Sequence, residues 1–124
     1  MSNKHSLEND TVDELLNKYA KICVAQDHAL FYDEYKTFSK LYEEMASIDR
    51  ELRRRGTAAR LALCRLFDHP NLQVRLQAAK ESLAVASTDS LNVIKAIAES
   101  RIAPQALDAG MTLIALERGQ FKPD

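Results

Sequence analysis

The sequence predicts an all-α protein, a compact six-helix stack built from helical hairpins. Three observations carry that prediction. Apolar residues recur at steps of three and four from Val12 to Leu116, the repeat of helices that each bury one face. No segment shows the strict alternation of a half-buried strand. Helix-breaking residues are few, three Gly and three Pro, and most stand where one apolar stripe stops and the next begins.

Residues 1–10 are polar and read as a flexible N-terminus. Thr11 followed by Glu14 is a capping box, in which hydroxyl and carboxylate each satisfy an amide at a helix start. Val12, Leu15, Leu16, Tyr19, Ile22 and Cys23 then share a stripe, so the first helix is expected to reach about His28. A second, longer helix is expected over Phe31 to Arg55, with Phe31, Tyr35, Phe38, Leu41, Met45, Ile48 and Leu52 turned inward. Gly56 ends it, because glycine alone reverses the backbone there at low cost.

Residues 11–56 thus form a long helix pair, and residues 57–119 form two shorter hairpins of the same domain. The third helix covers Thr57 to Asp68. Pro70 disfavours helix at His69, and Asn71 is placed to cap the fourth helix, Asn71 to Ala86. Thr88 or Asp89 is expected to cap a fifth, carrying Leu91, Ile94, Ile97 and Ala98. Pro104 opens a sixth, Gly119 terminates it, and Phe121 folds back as a hydrophobic anchor. A shift of thirty residues places Leu61 on Leu91, Phe67 on Ile97, Ala79 on Ala109 and Leu83 on Leu113, the mark of stacked repeats.

The net charge of -1 gives no global attraction to nucleic acid or anionic membrane. Its distribution is uneven. Residues 1–49 hold five Lys against ten Asp and Glu, whereas residues 50–75 hold seven Arg against Glu51 and Asp68. Cys23 and Cys64 lack a CxxC partner and sit in apolar stripes, which reads as buried free thiols, with a disulfide or redox pair as the alternative. Apolar runs fall far short of the about 20 residues that span a bilayer, and no signal core opens the chain. A cytoplasmic location is expected.

The stretch DHPNLQVRLQAA resembles the corner and second helix of a HEAT-type repeat. That resemblance implies that Asp68 and Arg75 brace neighbouring turns as an ion pair, with ligand contact as the alternative role. The second hairpin departs from the pattern, with Gln105 where Arg75 would repeat and Asp108 where Ala78 would. Over Tyr35 to Pro123, the ordered set ELRRRG, DHPNLQVRLQAA, DAGMTL and GQFKP resembles a small bacterial family known as a domain of unknown function (two-zero-one-nine). The resemblance implies a bacterial, all-helical, HEAT-like protein and brings no catalytic residues with it.

Chemistry is hard to find in the residues. His5, His28 and His69 stand in unrelated settings, no HExxH or clustered Cys/His occurs, and glycines never form a phosphate loop. No metal or other cofactor is expected. A non-enzymatic protein is the leading expectation, with an enzyme whose site is assembled across helices as a third reading.

Two surface candidates remain. Tyr32, Asp33, Glu34, Tyr35, Tyr42 and Glu43 combine aromatic area with negative charge, the mixture expected of a surface that docks a basic protein. The sharpest form of that expectation is an immunity-type inhibitor that plugs the basic cleft of a toxin, such as a nuclease. The alternative is phosphate binding by Arg53, Arg54, Arg55, Arg60 and Arg65, which a helix C-terminus also favours on structural grounds. Finally, AGMTLIAL (Ala109 to Leu116) carries no charge. Its apolar face is expected to be covered by an N-terminal helix, or else by a partner or by a second copy in a homodimer, and Gly110 within it suggests a close backbone contact.

Overall fold

The computed structural model describes residues 7–124; His5 and the first part of the expected flexible N-terminus lie outside them. Among the described residues every regular element is helical. We label the α-helices α1 (Val12–Phe31), α2 (Tyr35–Arg55), α3 (Thr57–Leu61), α4 (Leu72–Ser82), α5 (Ser87–Ser100) and α6 (Gln105–Glu117). The chain groups into two compact units, Met1–Ala62 and Leu63–Asp124.

In the first unit the capping box forms as its spacing requires. The Glu14 amide donates to Thr11 Oγ1 at 3.1 Å, and the Thr11 amide donates to Glu14 Oε1 at 2.9 Å. From α1, Leu15, Leu16, Tyr19, Cys23 and Ala29 are buried, and from α2, Met45, Ile48 and Leu52. Cys23 and Gln26 both reach the Met45 sulfur, at 3.8 and 3.5 Å. Burial raises the Cys23 thiol far above its ordinary value, with the Asp49 charge adding to the effect, so the group is an inert packing element. Residues 7–9 are helical, and Leu7 is buried with its carbonyl accepting from Arg55 at 2.8 Å. From Leu7 onward, therefore, the expected loose tail is anchored.

The expected inward stripe of the second helix holds only in part. Residues 32–34 form a turn, with Asp33 at a positive φ of 57°, and α2 begins at Tyr35. Phe31 is 79% exposed and Tyr35 68%, Phe38 and Leu41 are half-buried, and Met45, Ile48 and Leu52 are buried. Periodicity picked the face correctly, but the near end of that face is exposed. Gly56 closes α2 at φ 106°, ψ −178°, a conformation essentially confined to glycine.

The third helix is shorter than expected. Its α-helical part ends at Leu61, and Ala62–Asp68 continues as a 3-10 helix up to the His-Pro-Asn corner. There Asn71 Oδ1 accepts from the Gln73 and Val74 amides at 2.9 and 3.2 Å, while His69 Nδ1 accepts from the Asn71 amide at 3.0 Å. The cap expected at Thr88 or Asp89 is absent. Helix α5 starts two or three residues earlier, behind Ala86, which has no side-chain acceptor, and Asp89 lies in its first turn.

The core of the second unit joins Leu76, Ala79 and Leu83 of the α4 region, Ile94 and Ile97 of α5, and Ala109 of α6. Phe121 packs against it as expected. The chain reaches that position through a Schellman turn: Gly119 sits at φ 71°, its amide donates to Leu116 O at 3.2 Å, and the Gln120 amide donates to Ala115 O at 2.9 Å. The two residues that break the repeat pattern now have a purpose. Gln105 donates to Gln73 at 2.9 Å inside the core, and Asp108 pairs with Lys80 at 3.0 Å. Both contacts tie α6 to α4.

Candidate protein-docking surface

The turn between α1 and α2 gathers most of the aromatic and acidic residues singled out from the sequence. Tyr32, Asp33, Glu34 and Tyr35 lie there together, all exposed. Tyr42 and Glu43 lie two turns further along α2 and are exposed as well. The Tyr42 ring is linked back to the turn through Phe38, whose centroid is 6.4 Å away.

Two residues of this surface escaped the sequence reading. Phe31 was assigned to the core but stands in solvent, edge-on to Tyr32 at 5.0 Å. His28, in the last turn of α1, stacks obliquely on Tyr32 at 4.6 Å and lies 3.8 Å from Glu34. A helix-ending Phe-Tyr pair next to a polar turn was the available signal. Tyr35 donates its hydroxyl to Asp33 at 3.1 Å, and that carboxylate holds the phenol above its usual value. The rings therefore brace one another and present large apolar area beside carboxylates, at little further entropic cost on binding.

The arginine group has a different fate. Glu51 is only 8% exposed and accepts from Arg54 Nε at 3.0 Å and Nη2 at 2.6 Å, and from Arg55 Nε at 2.7 Å. These two guanidinium groups hold its carboxyl down at about 2. Arg53, Arg60 and Arg65 are likewise engaged in interactions. The five arginines are thus not a set of idle cations awaiting phosphates.

Asp68 and Arg75 are not brought together. Asp68 is exposed, Arg75 is half-buried, and among the described residues no ion pair joins them. The expected brace is replaced at that corner by the Asn71 cap. Within the charge-free stretch of α6, Ala109 is buried and Leu113 and Leu116 pack against the core, whereas Met111 is 62% exposed and Ile114 49%. A Cβ on Gly110 would meet nothing within 4 Å, so no close backbone contact explains that glycine. Among the described residues no three His, Cys, Asp or Glu side chains are grouped to hold a metal ion, and no helix is long and apolar enough to cross a membrane.

Fold and surface together define an all-α protein that presents an aromatic and acidic turn. The family model described as Domain of unknown function (DUF2019) matches residues 13–117, and the chain belongs to that family. The crystal structure of the protein RPA1889 from Rhodopseudomonas palustris CGA009 is similar throughout, with 42% identity, a TM-score of 0.91, and coverage of 100% of this chain and 99% of that one. No curated protein matches the chain.

Proposed function

We propose that this protein is a non-enzymatic docking module with a HEAT-like hairpin architecture, and that the α1–α2 turn is its binding surface. In the most concrete form it is a bacterial inhibitor of the immunity type that occludes a basic partner, such as the cleft of a nuclease toxin. The observation that supports this reading is the exposure of Phe31, Tyr32 and Tyr35 side by side with Asp33 and Glu34. Large aromatic side chains are costly to leave in water and are enriched in binding hot spots, while neighbouring acids favour encounter with a positive surface. Phosphate binding by the arginines has less support, since Arg54 and Arg55 already serve Glu51.

Capture of tagged protein from its host, followed by affinity measurement on the retained partner, tests the proposal. The double variant Glu34→Lys, Glu43→Lys is expected to weaken binding at least tenfold without altering the circular dichroism of the chain. Tyr35→Ala is expected to act in the same direction. Unchanged affinity in both variants excludes this turn as the binding surface.

A further inference from the structure

A cleft of about 340 Å³ opens in the second unit. Its walls are apolar, from Phe67, Leu72, Val93 and Ile97, and Arg75 lines it among them. Arg75 is the anomaly. Among the described residues its shielded Nε has no hydrogen-bond partner, and the guanidinium makes no ion pair. An arginine cannot relieve this by losing its proton, so the charge persists. A shielded N–H without a partner costs about 1–3 kcal/mol, and the charge of this guanidinium at the cleft wall has no counter-ion among the described residues.

We propose that this cleft binds a small carboxylate with an apolar body, its carboxylate on Arg75. Nε itself is shielded, so a ligand in the cleft meets the two terminal Nη groups, which offer the parallel N–H donors that carboxylates match, and the walls suit a branched or aromatic hydrocarbon body. The volume lies at the small end of the range of small-molecule sites. A phosphate fits the chemistry poorly, because its further oxygens need donors that the walls do not supply. Ser100 is already committed, donating to Ile97 O at 2.6 Å and accepting from the Ile102 amide at 3.2 Å. Asn92, also at the cleft, is exposed and supplies one amide, enough to orient a ligand but not to satisfy a dianion.

The test is an amide-detected NMR titration of the full chain with 3-phenylpropionate and with isovalerate at up to millimolar concentration. Parallel titrations use the uncharged 3-phenylpropionamide and inorganic phosphate. The expected result is saturable shifts confined to the amides around Arg75, Val93 and Ile97 with at least one of the acids, and at least tenfold weaker effects from the amide and from phosphate. Arg75→Lys keeps the charge but loses the fork, and is expected to weaken acid binding about tenfold; Arg75→Leu is expected to abolish it. If Arg75→Leu does not fold, the lysine variant alone decides. Absence of saturable shifts with both acids, equal binding of the amide, tighter binding of phosphate, or full binding by Arg75→Lys would each overturn the proposal.

Discussion

Replacing Glu51 by glutamine is the most informative perturbation of the first unit, because one carboxylate there holds three things in place. It fixes Arg54 and Arg55, and Arg55 in turn donates to the Leu7 carbonyl, which anchors the described start of the chain. The carboxyl lies at about 2 in the folded protein against an ordinary 4.5, caused first by its hydrogen bonds to Arg54 and then by those to Arg55. By linkage that displacement corresponds to at most about 3 kcal/mol. The Arg54 side chain is 63% exposed, so water screens its share, and the realised contribution is about 1–2 kcal/mol.

The sign follows from the direction. A depressed carboxyl stabilises fully above its unfolded value near 4.5, and the contribution is lost as pH falls towards 2. Urea unfolding of the parent and Glu51→Gln, followed by circular dichroism, should show that gap at pH 7 and almost none at pH 2. An equal gap at both values would refute the argument, because it would mean that shape rather than charge holds the arginines.

Two further outcomes are expected. Asn71→Ala removes the acceptor for two amides at the start of α4 and should lower stability by about 1 kcal/mol in the same urea assay. Gly110→Ala should raise it by up to about 1 kcal/mol, because a methyl there meets nothing within 4 Å and alanine is the better helix former; a loss of stability would show that this face is packed against something.

Local chemistry was the legible part of the sequence. The Thr11–Glu14 box, the Asn71 cap, Gly56 and the Gly119 turn with its Phe121 anchor all act within a few residues of themselves, so their spacing alone determined them. The failures share a different cause. Phe31 and Tyr35 sit at the right helical phase for burial, yet phase names a face without saying whether anything lies against it. The same limit hid the exposure of Met111 and Ile114. Asp68 and Arg75 were paired by analogy, and only the fold shows that Asn71 caps the corner and that no carboxylate among the described residues meets the arginine. Of the site, then, the aromatic and acidic surface was legible, and the part that Phe31 plays in it was not.

The uneven charge of the chain acquires a consequence from this. The basic stretch from Arg50 is largely occupied internally, since Glu51 takes Arg54 and Arg55, and Arg53, Arg60 and Arg65 are engaged as well. The acids at the α1–α2 turn stay at the surface beside exposed rings. Salt dependence alone therefore cannot separate a basic protein partner from a nucleic acid, because salt weakens both kinds of encounter. Charge reversal separates them by sign. Turning Glu34 and Glu43 to lysine removes attraction for a basic protein and adds attraction for a polyanion, so affinity falls in the first case and rises in the second. A rise would transfer the functional weight from the turn to the arginines, and a fall would leave it with the aromatic and acidic surface.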